Sequence, residues 1–245
     1  MAEHCASGGL LLSVIIPAFN EEAYLPATLG ALQEAAKGLL VELIVVDNGS
    51  TDRTRAIAIE YGARVVPELV HNIGRVRNAG AWTASGATLV FVDADTLVPK
   101  TLLQAILTEM QRGECAGGAV AVDYSVLKRR WMRLYLRGWK FWGRVFNMKQ
   151  GAAQFCRREA FTALGGYDES IYVGEDVHFY WQLSRWASQN RQRMAFLDRP
   201  KVVTSARRFD QMGVVKSLVL THPLVIWLFW KKPDIWRDWY VRLIR

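Results

Sequence analysis

Short apolar runs alternate with amphipathic stretches along the first hundred residues. Leu12 to Ile16, Val41 to Val46, Arg64 to Val66 and Thr88 to Val92 read as strands, and the first, second and fourth are almost unbroken in Val, Ile and Leu, as strands covered on both faces are. Between them, stretches at about Glu21 to Ala36, Thr51 to Tyr61 and Gly74 to Ala84 read as helices, the second placed to be capped by Ser50 or Thr51. The order β-α-β-α-β-α-β predicts the α/β class, a Rossmann-like, mostly parallel sheet flanked by helices. Nothing in the chain repeats at a fixed period and no Gly/Ser-rich linker divides it, so a single domain with appendages is expected.

Each major strand runs out into polar residues. The first gives "PAFNEE" (Pro17 to Glu22), the second "DNGSTD" (Asp47 to Asp52) and the fourth "DAD" (Asp93 to Asp95). In open α/β sheets ligands gather outside the carboxyl ends of the strands, so these three segments are expected on one edge. If the backbone stays extended, Asp93 and Asp95 project to one side and Ala94 to the other. Paired hard oxygens of that kind suit Mg²⁺ or Mn²⁺, which keep several waters and share substrate phosphates. The plainer alternative is a solvated turn, and the position directly after an apolar strand favours the ligand. Turn and helix-start chemistry explains Asn48 to Asp52 but does not require the carboxylate of Asp47.

Further on, "EDVHFYWQLSRW" reads as a helix opened by Glu175 and Asp176. Acids in a first turn complement the helix dipole. The irregular, glycine-bearing "LGGYDESIYVG" before them has the make-up of a binding loop instead.

Charge changes the picture only locally. The net +8 lies in one segment: Lys128 to Lys149 holds eight Lys and Arg and no acid, and removing those eight from the total of 31 leaves 23, equal to the 23 Asp and Glu. In that segment Trp131, Tyr135, Trp139, Trp142 and Phe146 fall on one helical stripe, with Arg130, Arg133, Arg137, Lys140 and Arg144 on another. A basic aromatic helix suits the surface of an anionic membrane, although the same stripe could pack on the sheet. The apolar run Ser217 to Trp230 is followed by "KKPDIWRDWYVRLIR", rich in Trp, Lys and Arg. At fourteen residues it is shorter than the roughly 20 of a spanning helix, which predicts a peripheral helical tail. Cys5, Cys115 and Cys156 are odd in number and widely spaced, so no disulfide framework or zinc ribbon is expected, and a reducing compartment fits. The N-terminus has no basic n-region, which argues against a signal peptide.

"LLSVIIPAFNEEAYLPATLGAL", "LIVVDNGSTDRT", "HNIGRVRNAG" and "LVFVDADTLVP" resemble the nucleotide-binding half of the family 2 glycosyltransferases, which have the GT-A fold. "GAAQFCRREAFTALGGYDES" and "VGEDVHFYWQL" resemble the acceptor-side half, and "TSARRF" a late basic motif of some members. The resemblance implies a catalytic domain over residues 1–212, its nucleotide-binding half at 11–98 and its acceptor half at 99–212, followed by the tail at 213–245. It implies an inverting, metal-dependent transfer of sugar from a nucleotide-sugar donor, UDP-type foremost, to an acceptor hydroxyl, and the membrane-directed tail extends the expected acceptor from a glycan to a lipid-linked one. Pro17, Ala18, Asn20 and Glu21 would line the nucleotide pocket, Asp47 would bond the base and Arg77 would approach base or diphosphate. Asp93 would meet the ribose side and Asp95 would hold Mg²⁺ or Mn²⁺, with Asp93 beside it. Arg207 and Arg208 would add positive charge near the diphosphate. Asp176 would be the general base and Glu175 would orient the acceptor or its loop. The basic segment and the tail, apart from the resemblance, lead to an expected location on the cytoplasmic, inner face of the membrane.

"QLSRW" matches a motif of processive synthases but begins six residues after Asp176 on the same expected helix, so processivity is not inferred. His178 and His222 read as structural. Two alternatives stand beside the transferase. A sugar nucleotidyltransferase would want a basic, glycine-rich phosphate loop after the first strand, where this chain has an acidic one. A noncatalytic membrane or nucleic-acid module would explain the basic segment but not the strand-end acids, and no nucleic-acid partner is expected.

Overall fold

The computed structural model describes residues 12–124, 138, 149, 151–207, 226, 228–232 and 236. Four parallel strands form one half of its sheet: β1 (Leu12–Ala18), β2 (Val41–Asp47), β3 (Arg64–Pro67) and β4 (Thr88–Val92). The sheet continues through β5 (Thr96–Leu97), β6 (Cys115–Tyr124), β7 (Ala153–Arg157) and β8 (Arg193–Thr204), in the order β3-β2-β1-β4-β7-β6-β8-β5. β7 runs antiparallel to both β4 and β6, β8 is parallel to β6, and β5 closes the edge antiparallel to β8. The expected nucleotide-binding and acceptor halves therefore share one sheet, joined at the β4–β7 and β5–β8 ladders.

Every residue of β1 and β4 is buried, which is why both read as continuous apolar runs. The two faces of β1 separate by the period of two. Leu12, Val14 and Ile16 pack under α1 (Leu25–Ala35), α2 (Thr54–Glu60) and α4 (Leu102–Gln111). Ile15 packs with Ile44, Val46 and Phe91 under α3 (Ile73–Thr83), α5 (Arg158–Leu164) and α6 (Glu175–Gln189). α3 lies unusually close to the sheet at Gly80, where a Cβ would meet Ile15 Cγ2 and Val46 Cγ2 at 2.6 Å. A larger residue there would lift the helix that carries Arg77.

Two local expectations are corrected. The first helix begins at Leu25, because Glu21 to Tyr24 form a turn in which Glu21 O accepts from Tyr24 N at 3.0 Å and from Leu25 N at 2.8 Å. Neither Ser50 nor Thr51 caps α2. Their groups go to the first loop, Ser50 Oγ accepting from Asn20 N at 3.0 Å and Thr51 N donating to Asn20 Oδ1 at 2.9 Å, while Asp52 Oδ1 accepts from Thr54 N at 2.9 Å.

Most of the basic aromatic segment and of the tail lies outside the described residues. The tail residues that are described sit against the acceptor loop. Tyr172 N donates to Trp230 O at 2.7 Å, the Trp230 ring stands edge-on to His178 at 5.4 Å, and Lys231 Nζ is 3.4 Å from Asp168. Trp236 is fully buried and donates Nε1–H to Phe229 O at 2.8 Å. Among the described residues no helix is long and apolar enough to cross a membrane.

Candidate functional site

The three polar strand ends meet as expected. Ala18 O accepts from Asn48 N at 2.8 Å, joining the first loop to the second. Pro17 and Ala18 are buried ladder residues beside Val46 and Asp47, so their backbone, more than their side chains, shapes this edge. Asn20 adopts the left-handed conformation (φ 54°), which asparagine tolerates, and spends its carboxamide oxygen on Thr51. Asp47 is buried at the tip of β2, its Oδ1 taking Ser50 N–H at 3.1 Å.

The Asp93–Asp95 segment is not extended, contrary to the argument from spacing. It forms a turn closed by Thr96 N to Asp93 O at 3.1 Å, because Thr28 Oγ1 donates to Ala94 O at 2.7 Å while Thr96 starts β5 beside Thr204. The turn still offers both carboxylates, each to a different arginine. Asp93 Oδ1 is 2.9 Å from Arg77 Nη2, and Asp95 Oδ2 is 3.3 Å from Arg207 Nε.

Each arginine holds a second acid. Arg207 pairs with Glu21 through Nη2 and lies over the Tyr24 ring at 4.5 Å. Arg77 pairs with Glu175 through Nη1 and stands 5.5 Å from the centre of the Tyr167 ring. Two bridges result, Glu21–Arg207–Asp95 and Asp93–Arg77–Glu175, with the "DAD" turn between them. Arg77 is only 3% exposed and committed to both carboxylates, so its guanidinium is not presented to solvent as a direct base or diphosphate contact would be. Arg208 lies outside the described residues.

Burial sets the electrostatics. It drives the Glu21 carboxyl up to about 7 despite the Arg207 charge beside it. Burial likewise raises Glu175 and Asp176, with Arg77 opposing in both cases. Arg77 itself, penalised by burial, is held above its ordinary value by Asp93 and Glu175. Glu21 Oε2 and Arg77 Nε are buried without hydrogen-bond partners, two unsatisfied polar atoms beside the site.

Asp176 faces another way from its neighbour. Its Oδ2 accepts Gly151 N–H at 2.6 Å and its Oδ1 the Val177 N–H at 2.8 Å, leaving lone pairs on both oxygens. α6 starts from Gly174 in the left-handed conformation (φ 82°), so Glu175 and Asp176 occupy the first turn as the sequence suggested. Gln182 and Arg185 are on this same helix, Arg185 exposed, in keeping with a surface role. His178 is half-buried, with burial lowering its pKa.

Sequence reasoning missed the carboxamides that bind α3 to the acceptor loop. Asn72 Nδ2 donates to Glu169 O, and Asn78 donates to Tyr167 O at 3.0 Å and accepts from Tyr167 N at 2.8 Å. Two buried asparagines flanking Arg77 on one helix were the available signal; their partners lie about 90 residues away and leave no periodic trace.

As a cation site the donor set has a defined character. Asp93 and Asp95 supply hard oxygens on one turn, and among the described residues no group of three or more His, Cys, Asp or Glu is arranged to hold a metal alone. Such a set fits Mg²⁺ or Mn²⁺ that draws its remaining ligands from water and phosphate.

The family model described as Glycosyl transferase family 2 matches residues 13–165, more than half of the chain. Glucosyl-3-phosphoglycerate synthase of Mycobacterium tuberculosis (strain H37Rv) is 38% identical over 107 residues, 40% of this chain and 32% of that protein. Validoxylamine A glucosyltransferase of Streptomyces hygroscopicus subsp. jinggangensis is 36% identical over 104 residues, 40% of this chain and 25% of that protein. The matches thus span about a third or less of these relatives' length. Among solved structures, the M. tuberculosis synthase in complex with Mn²⁺ and UDP-glucose superposes with a TM-score of 0.63 at 23% identity, covering 91% of this chain and 78% of that one. S. aureus TarS 1-349 in complex with UDP-GlcNAc gives 0.63 at 18% identity, covering 83% and 62%. These likenesses show the fold, the one the motifs resembled.

Proposed function

The chain belongs to glycosyl transferase family 2, and we propose that it moves a sugar from a nucleoside-diphosphate donor, UDP-type foremost, to an acceptor hydroxyl with inversion at the anomeric carbon. The observation that carries this reading is the pair of Arg–carboxylate bridges meeting at the Asp93–Asp95 turn, on the strand edge where donors bind in such sheets. Structural neighbours solved in complex with UDP-glucose and Mn²⁺, with UDP-GlcNAc, and with GDP-mannose and Mn²⁺ agree with it.

In this reading Asp47 bonds the base, with Pro17, Ala18 and Asn20 shaping the pocket through the first loop. Asp95 holds the cation with Asp93 beside it. The divalent ion supplies electrostatic stabilisation of the departing diphosphate. Arg207 contributes charge to the same oxygens, and Arg208 is proposed with it. Arg77 positions rather than binds: its fork ties the metal-side turn to the helix of the general base. The acceptor oxygen attacks the anomeric carbon as the bond to the diphosphate breaks, and its proton passes to the carboxylate of Asp176. Asp176 is preferred to Glu175 because Glu175 is already bound to Arg77, whereas Asp176 takes two backbone donors and keeps lone pairs free.

Thermal unfolding against UDP, GDP, ADP and CDP, with and without Mn²⁺, tests the donor site. A diphosphate at 100 times its Kd adds about 2.7 kcal/mol of apparent stability. Stabilisation by UDP that depends on Mn²⁺ is expected, and Asp95→Ala should erase that increment while shifting the unliganded melting temperature by only a few degrees. An undiminished Mn²⁺-dependent increment in Asp95→Ala would remove Asp95 from the metal.

We extend the proposal to a membrane-facing acceptor, a glycan or a lipid-linked one, reached from the cytoplasmic side, with residues 213–245 as an interfacial tail after the 1–212 catalytic region. Exposed Leu228 and Phe229 next to exposed Lys231 and Lys232 support it. Sedimentation with anionic vesicles is expected for the wild type, and loss of sedimentation without unfolding for Trp139→Glu with Trp142→Glu. Unfolding of that pair would make the stripe a core element.

A further inference from the structure

We infer that Gly151 is the positioning residue of the general base, fixing the Asp176 carboxylate through its backbone N–H and through the space its missing side chain leaves. The inference rests on the reading of Asp176 as that base. Gly151 N–H lies 2.6 Å from Asp176 Oδ2, a short charge-assisted bond. A Cβ at position 151 would stand 2.5 Å from Asp176 Cβ and 2.8 Å from its Oδ2, closer than real Cβ atoms come, and 3.0 Å from its Cγ. The side chain of Asp176 thus occupies volume that any other residue at 151 would claim.

The turn that carries Gly151 is itself tied to the helix of the base. Gln154, on β7, donates Nε2–H to Asp176 O at 3.2 Å and to Lys149 O at 3.3 Å, bracketing Gly151. Lys149 in turn lies over the Phe196 ring at 4.2 Å, against β8. The carboxylate is therefore held from both sides, Oδ2 by the turn and Oδ1 by the Val177 N–H of its own helix.

Position and charge follow together. Burial raises the Asp176 pKa, while Arg77 and the N–H groups of Val177 and Gly151 act against it, with Asp93 and Glu175 as the neighbouring acids. Hydrogen bonds to the ionised form favour it, so removing the Gly151 donor makes the group harder to ionise. A methyl at 151 would do both at once: turn the carboxylate aside and strip its donor.

The test uses the full chain, Mn²⁺ and UDP-glucose as probe, with water as acceptor and UDP release as readout. Because a displacement of about 1 Å can cost on the order of 10²-fold, Gly151→Ala should lower kcat by about 10- to 100-fold. The acid limb of its pH profile should move to higher pH, and Mn²⁺-dependent UDP affinity should stay within about twofold, since donor and base sit on different loops. Gln154→Met, which removes both tethers without filling the space at 151, should show the same signature more weakly and decides the matter if Gly151→Ala does not fold. Unchanged turnover and pH profile in the folded variants overturn the inference, as does a parallel loss of UDP affinity, which marks general disruption. Asp176→Asn separates the two readings. If it is slow while Gly151→Ala is normal, only the positioning role falls; if it turns over normally, the base assignment falls and this inference with it.

Discussion

Asp176→Asn should slow sugar transfer by about 10²- to 10⁴-fold, the usual worth of a general base, while UDP and Mn²⁺ still bind. Asparagine keeps the shape of the side chain, and its one carboxamide oxygen can accept the Gly151 N–H, so the turn it rests on should survive, although the Val177 N–H then faces the amide nitrogen and loses its acceptor. What disappears is a lone pair basic enough to take the acceptor proton. The effect belongs in kcat with little change in donor affinity, because the group meets the acceptor and not the nucleotide. Glu175→Gln should differ in kind: it removes the partner of a buried guanidinium, so it should lower the melting temperature more than it lowers turnover of the folded fraction. Near-normal turnover in Asp176→Asn with a collapse in Glu175→Gln would shift the base by one residue. Normal turnover in both would send the search for the base elsewhere.

Arg77→Met should be among the most destabilising single changes in this protein. Arg77 is 3% exposed, and its removal leaves Glu175 without a counter-charge in the interior and Asp93 without its ion pair. Breaking a buried pair by deleting one partner costs about 3–5 kcal/mol. At about 2–4 °C per kcal/mol for a chain of this size, the melting temperature should fall by roughly 6–20 °C. Methionine preserves volume, so the loss should track charge: Glu175→Gln in the Arg77→Met background should cost much less than Glu175→Gln alone, a coupling that a double-mutant cycle reads directly. Arg77→Lys should fall between, since one ammonium cannot reproduce a fork that reaches two carboxylates. A melting temperature within a degree or two of wild type for Arg77→Met would show that this bridge holds nothing together.

The acceptor half was the harder part to read. β4 and β1 announce themselves as unbroken apolar runs, whereas β7 is five residues long and carries Gln154 and Arg157, and β8 spends exposed Arg193, Asp198, Arg199 and Lys201 along its length. β7 is buried on both faces but too short and too polar to announce itself, and β8, with one wet face, lacks the signature that a doubly covered parallel strand must have. The "DAD" spacing shows the same difference. It correctly marked two carboxylates at a strand end, but the extended geometry used to explain them gave way to a turn once Thr28 from α1 and Thr204 from β8 claimed the flanking groups.

What the sequence determined by itself was whatever depends on near neighbours along the chain. Burial on both faces forces the apolar runs of β1, β2 and β4, and their polar ends put Asp47, Asp93 and Asp95 on one edge; the first turn of α6 places Glu175 and Asp176 one after the other. What only the tertiary structure decided was which charges meet. Arg77 finds Glu175 across 98 residues, Arg207 finds Glu21 across 186, and Asp176 rests on the amide of Gly151, 25 residues before it. Electrostatic and hydrogen-bond energies depend on distances of a few ångströms in space. No periodicity in a sequence encodes those distances, and the packing of α3 and α6 on a shared sheet sets them.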